Sequence, residues 1–160
     1  MIVPSIALPT GPYDWRPEIV SREEFARRTA VMRAAMCEGG ATHAVVHGNG
    51  FDNGALAWLT HFTPKLGPAY ALVPARGQLR LLFAGGPGMK PSAQRLTWID
   101  DVVAIRNLEG DIGRWLAETS TGAPVRLGLV EGAAMLRGDW LALQKVAGGS
   151  TVEVDDVLDA

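Results

Sequence analysis

A chain of 160 residues and 17.0 kDa, 48% hydrophobic and 20% charged, carries enough apolar material for one core and one domain. Fifteen Lys and Arg against seventeen Asp and Glu give a net charge of −2, without the basic excess that binding by phosphate neutralisation demands, so nucleic acid is not an expected partner. The single cysteine, Cys37, permits no internal disulfide and no cysteine-built zinc site, which makes a reducing cytoplasm the expected location.

The opening segment is apolar but has no basic start and is broken by Pro4 and Pro9, so it does not read as a signal peptide. No run approaches the ~18 apolar residues of a spanning helix, and no membrane partner is expected. Residues 1–20 hold four prolines and no periodicity, which predicts an extended N-terminal arm ahead of a domain at 21–160. Ser21 to Glu24 has the form of a capping box, with Val20 and Phe25 as a hydrophobic staple. Phe25, Thr29, Met32 and Met36 then recur at helical spacing until Gly39-Gly40 supplies a left-handed stop.

Thr42 to Val46 predicts a strand, followed by the turn-rich run Gly48 to Gly54 and a helical start to Ala55–Phe62. Tyr70–Val73 and Gln78–Phe83 flank Pro74 to Gly77 as an antiparallel hairpin. A brief helix around Ser92–Leu96, a strand at Val102–Ile105 and a helix capped by Asn107, with Leu108, Ile112, Trp115 and Leu116 on one face, come next. A strand at Val125–Val130, a helix over Ala133–Ala147 and a last strand at Thr151–Val154 complete the order. Helices alternate with strands around a hairpin, which predicts a three-layer α/β domain: a mixed sheet with helices on both faces.

The motifs that carry chemistry are weak. Gly48 to Gly54 reads G-x-G-x-x-x-G, the wrong spacing for a dinucleotide fingerprint, and no carboxylate follows at ~20 residues for a ribose. Gly85 to Ser92 has Met89 and Pro91 where a phosphate-cradling loop needs glycine before its lysine and a hydroxyl residue after it. His43 and His47 lie ~13 Å apart on an extended strand, too far for one metal, and are read as a sheet-face residue and the strand's polar end. The first strand has no carboxylate, which disfavours a two-metal nuclease. Cys37 has no base beside it in sequence, no serine sits in a nucleophile elbow, and Arg137-Gly-Asp139 reads as coincidence. The acidic pairs Glu23-Glu24, Asp100-Asp101 and Asp155-Asp156 read as solvated or capping. Five tryptophans are many for this length; Trp15 and Trp58, in the arm and a loop, point to self-association or a missing neighbour.

The capped helix Ser21 to Met36, the strand Gly40-Ala-Thr-His-Ala-Val-Val46 and the segment Trp58-Leu-Thr-His61-Phe62 together resemble the start of the creatinase and prolidase family. There an early E-x-x-x-R helix precedes a short strand and a Tyr-Leu-Thr-Gly-Phe segment. The hairpin Ala71 to Phe83 and the later alternation of strands and helices continue the likeness over residues 20–160. The resemblance implies a mixed-sheet N-terminal domain of ribonuclease H-like topology, in a family whose catalytic residues, and five metal ligands in the metallopeptidases, belong to a following "pita-bread" domain. It therefore implies no catalytic, cofactor or metal residue in this chain, with a divalent metal possible in the catalytic domain. The expected partners are a further copy, as a homodimer or higher oligomer, and that second domain. His61 stands where the family carries glycine. Trp58, His61 and Phe62 are the candidates for gating a neighbouring subunit's active site, and their substitution is expected to leave folding largely intact. The alternatives are a self-sufficient small-molecule- or nucleotide-binding α/β domain using the Gly48–Gly54 turn, and a standalone interaction module.

Overall fold

A computed structural model describes residues 14–153. The predicted strand at Thr151–Val154 is present as Thr151–Glu153, while Val154, Asp155-Asp156 and the first part of the predicted arm lie outside the described residues. Residues 14–20, expected to be extended, instead form a turn, with the Ile19 and Val20 amides donating to the Arg16 carbonyl at 3.0 and 3.2 Å. The Trp15 indole closes that turn by donating to the Val20 carbonyl at 2.9 Å, and its backbone amide donates to the Arg95 carbonyl at 2.7 Å.

The first helix, α1 (Arg22–Glu38), begins where its caps dictate: the Ser21 hydroxyl accepts from the Glu24 amide at 3.2 Å. The reciprocal half of the box is replaced. Glu24 directs its carboxylate to Arg27 at 2.9 Å and Arg28 at 2.8 Å, hydrogen bonds that hold it down at about 2, well below the usual range. Gly40 rather than Gly39 is the left-handed residue (φ +69°), and it lets the Ala41 amide close on the Met36 carbonyl at 2.7 Å.

Strand β1 (His43–Gly48) runs two residues beyond its predicted end and pairs antiparallel with β2 (Ala69–Pro74) and parallel with β5 (Leu127–Val130). Between β1 and β2 lies α2 (Gly54–Thr60). The predicted hairpin forms from β2 and β3 (Arg80–Phe83), and β3 pairs parallel with β4 (Asp101–Ala104) after the short α3 (Lys90–Arg95). Helix α4 (Leu108–Thr119) is capped as predicted, Asn107 accepting from the Gly110 amide at 2.9 Å. The six-stranded sheet has the order β4-β3-β2-β1-β5-β6, with β6 (Thr151–Glu153) parallel to β5.

The last helix, α5 (Arg137–Val146), starts four residues later than the apolar pattern predicts. Glu131 turns left-handed (φ 61°), Gly132–Ala134 wind as a single 3₁₀ turn, and Met135 and Leu136 are extended. The run of good helix formers yields to the need to turn the chain out of β5.

Side chains alternate across the sheet as the pleat requires. One face carries Ala44, Val46, Ala71, Val73, Leu81 and Phe83 against Met32, Met36, Leu56, Leu59 and Ala93 from α1, α2 and α3. The other carries Val45, Tyr70, Leu72, Leu127 and Leu129 against Ile112, Trp115, Leu116 and Leu143 from α4 and α5. The three-layer mixed-sheet architecture is as predicted. Gly48 is needed for it: a Cβ there would meet Leu56 Cδ2 at 2.8 Å, so α2 could not close over the strand end.

Candidate functional site

The strand ends set the stage. The carboxyl ends of β1, β3 and β5 and the amino end of β2 share one end of the sheet, because Gly48 pairs with Ala69, Ala69 with Phe83, and Val46 with Val130. The loops there, 49–53, 61–68, 84–89 and 131–136, present Phe51, Leu66, Met89 and Leu136, all exposed large hydrophobic side chains. Among the described residues only two further large hydrophobics are so exposed, Ile19 and Leu141.

The glycine-rich run after β1 is an Asx-closed turn. Asn49 Oδ1 accepts from the amides of Phe51 at 2.8 Å and Asp52 at 2.9 Å, the Asn49 amide donates to the Asp52 carbonyl at 2.7 Å, and Asn53 Nδ2 donates to the Asn49 carbonyl at 2.9 Å. Those amides are satisfied inside the loop and do not point at a phosphate. The turn holds Phe51 out in solvent.

The three residues singled out in the sequence fall on one stretch but meet different surroundings. The Trp58 carbonyl accepts from Arg28 Nη1 at 2.8 Å, and the Arg28 guanidinium lies 5.6 Å from the centroid of the Trp58 ring. Since Arg28 also holds Glu24, this ties α2 to α1. His61 ends α2 in the left-handed region (φ 63°), its amide on the Ala57 carbonyl at 2.8 Å and its Nδ1 3.2 Å from the Leu96 carbonyl. Phe62 is buried, with its ring 6.3 Å from Phe83. Beside it opens an apolar groove of about 200 Å³ whose lining includes Pro64, Leu66, Met89 and Leu96. Phe62 therefore departs from the expectation that substitution leaves folding intact, because it is a core side chain as well as a wall of the groove.

Of the histidines, His43 is a sheet-face residue as read, between the Thr42 and Thr119 hydroxyls at 3.0 and 3.1 Å and edge-on to Trp115. His47 is not a polar strand end: it is buried, 5.5 Å from the Tyr70 ring. Burial pushes both imidazoles below the ordinary histidine range. Within Arg137-Gly-Asp139, Asp139 has a structural part of its own, accepting from the Tyr70 hydroxyl at 2.6 Å. Burial and that carboxylate push the Tyr70 phenol upward. Asp101 pairs with Arg80 at 2.6 Å, and Asp100 with Arg22 at 3.4 Å.

The five tryptophans all have contacts within the chain. The Trp98 ring stacks on Phe25 and donates to the Leu59 carbonyl, Trp115 is buried on the α4 face, and Trp140 packs against the same core. Trp15 and Trp58 are thus held internally and do not by themselves mark an interface. Phe51 and Leu136, which carry no motif, are the exposed apolar groups that the sequence reading passes over. Among the described residues, no group of three His, Cys, Asp or Glu side chains is placed to hold a metal, and no helix is long and apolar enough to cross a membrane.

No protein-family model matches this sequence, and no curated protein matches it. Solved structures do. An Xaa-Pro dipeptidase from Bacillus anthracis superposes with a TM-score of 0.63 at 12% identity, over 84% of this chain and 34% of that one. The creatinase/prolidase N-terminal domain of an X-Pro dipeptidase from Streptococcus pyogenes gives 0.61 at 16% identity, over 80% of this chain and 92% of that one. The fold is that of a creatinase/prolidase N-terminal domain. The prolidase from Pyrococcus horikoshii OT3 agrees, with a TM-score of 0.61 at 16% identity over 82% of this chain. This chain spans about a third of the intact dipeptidase and prolidase, 34% and 33%. The sequence resemblance drawn on the α1 helix, the first strand and the 58–62 segment therefore extends to the backbone.

Proposed function

We propose that this chain is the non-catalytic N-terminal domain of a creatinase or Xaa-Pro peptidase-like hydrolase, in which it contributes to oligomerisation and to closure of a neighbouring subunit's active site. The observation that carries this reading is the match over most of the chain to about a third of two such enzymes and to a separate N-terminal domain, joined to a cluster of exposed apolar side chains on one end of the sheet. An exposed apolar patch on an otherwise polar surface favours association. Bond breaking, with a divalent metal where the parent uses one, belongs on this reading to the further domain. Trp58 and His61, half-buried and linked to α1 and to Leu96, can change the shape of the loop end without emptying the core; Phe62 contributes a wall of the groove.

The reading frame downstream of codon 160 tests the parentage directly, because paired acidic and histidine ligands encoded there would establish the class. Sedimentation equilibrium tests the association: a dimer or larger species is expected, shifted toward monomer by Leu66→Ser with Met89→Ser. A strictly monomeric chain at high micromolar concentration removes oligomerisation from the proposal. In the two-domain protein, Trp58→Ala and His61→Ala should raise KM more than they lower kcat. Unchanged kinetics in both variants overturns the gating role.

A further inference from the structure

A second concavity lies where β1 and β5 end side by side, with a volume of about 740 Å³. Ligand sites fall in the range of roughly 300–1,000 Å³. Its position follows from topology. Helix α2, which follows β1, packs on one face of the sheet, and α5, which follows β5, packs on the other. The loops 49–53 and 131–136 therefore part around the gap between two parallel strands, the place where open α/β sheets bind ligands.

The walls are mixed in a particular way. Phe51, Pro64, Pro68 and Leu136 supply apolar surface. Asp52 comes from the turn pinned by Asn49 and Lys65 from the loop before β2, and both line the cleft in exposed positions. The side chain of neither makes an ion pair or hydrogen bond with any described residue, each other included. Deeper in, His47 is only 2% exposed, with its Nδ1 lacking a hydrogen-bond partner while the ring is engaged by the Glu131 backbone. A neutral imidazole that donates through one nitrogen accepts through the other. Asp52 and Lys65 thus give the lining one acidic and one basic side chain, with the His47 ring beside them.

A purely apolar ligand would leave both charges without counterparts. A phosphate would face Asp52 across a turn whose amides are already bonded. We propose that the cleft binds a free amino acid with an apolar side chain, its ammonium beside Asp52 and His47, its carboxylate on Lys65 and its side chain against Phe51 and Leu136. The site would serve as a binding site in its own right, whether or not the chain acts within a hydrolase.

The test uses the 160-residue chain, ¹⁵N-labelled, titrated with L-leucine, N-acetyl-L-leucine and L-leucinamide. Leucine should move the amides of residues 49–52, 65–67 and 134–136 and the ring signals of His47. Each blocked analogue should bind about tenfold more weakly, the loss of one charge-assisted contact. Asp52→Asn should weaken leucine and leucinamide while leaving N-acetyl-leucine unchanged, and Lys65→Gln should weaken leucine and N-acetyl-leucine while leaving leucinamide unchanged. Both side chains are exposed, so these variants keep the fold. Absence of shifts, shifts confined to other surfaces, or blocked analogues that bind as tightly as leucine would each overturn the assignment.

Discussion

His61 offers a controlled measurement of what the backbone demands at the end of α2. Its φ of 63° is left-handed, the region that favours glycine. Replacing it by Ala and, separately, by Gly removes the imidazole and its 3.2 Å contact with the Leu96 carbonyl in both cases, so the difference between the two variants isolates the backbone. A side chain in the left-handed region costs about 1–2 kcal/mol. Glycine avoids that cost but gains unfolded-state freedom worth about 0.4–1 kcal/mol. The balance leaves His61→Gly more stable than His61→Ala by about 1 kcal/mol, or roughly 2–4 °C in Tm for a chain of this size. Relative to the parent chain, His61→Ala should lose about 0.5–1.5 kcal/mol with the hydrogen bond, and His61→Gly should lie near zero. Urea unfolding followed by tryptophan fluorescence gives all three values. If the alanine variant equals or exceeds the glycine variant, the left-handed turn is not the constraint at this position.

Phe62→Ala should cost about 3–5 kcal/mol, the range for emptying a buried aromatic site, and a loss below about 1 kcal/mol by urea midpoint would place Phe62 outside the core. For the Tyr70 and Asp139 pair, a double-mutant cycle with Tyr70→Phe and Asp139→Asn should give a coupling of about 1.5–3 kcal/mol, as for a hydrogen bond to a charged group; additive effects would reduce the 2.6 Å contact to proximity. His43 and His47 set a pH dependence. Burial lowers both in the folded state, so the unfolded chain takes up protons first as the pH falls below ~6.5. Their contribution is complete above that value and declines through it toward the lower folded values. The double variant His43→Gln with His47→Gln should flatten the decline in urea midpoint between about pH 7.5 and pH 5.5. An equally steep decline in the variant would assign the effect to other groups.

Much of the architecture is legible from local chemistry. Ser21 and Asn107 accept from the amides that helix starts leave open, and the alternation of Val45 and Val46 between the two cores follows the strand period. What local chemistry misses is where long-range demands override it. Ala133 to Leu136 has helix-forming side chains, yet the exit from β5 through left-handed Glu131 keeps Met135 and Leu136 extended, and this exposes Leu136. Asp139 is one residue of an unremarkable tripeptide until the crossover of α5 lays it over Tyr70, 69 positions earlier. His47 reads as a polar terminus because the strand was expected to stop at Val46, but pairing with Ala69–Pro74 carries it into the interior.

The same contrast decides which aromatic residues can speak for a partner. A tryptophan is large enough that, wherever it falls in the sequence, some part of the chain gains by covering it, and here Arg22 lies over Trp15, Arg28 over Trp58 and Phe25 against Trp98. Counting tryptophans therefore measures the appetite of the core and its rim. Phe51 is different: Asn49 ties down the turn that carries it, and its ring stands fully exposed. An apolar side chain held in water by its own backbone gains nothing for the isolated chain, and Leu136, extended by the turn out of β5, stands in the same condition in the lining of the same cleft. Two such residues lining a shared space, with an acid and a base in the same lining, are the arrangement that a ligand or a neighbouring surface would relieve.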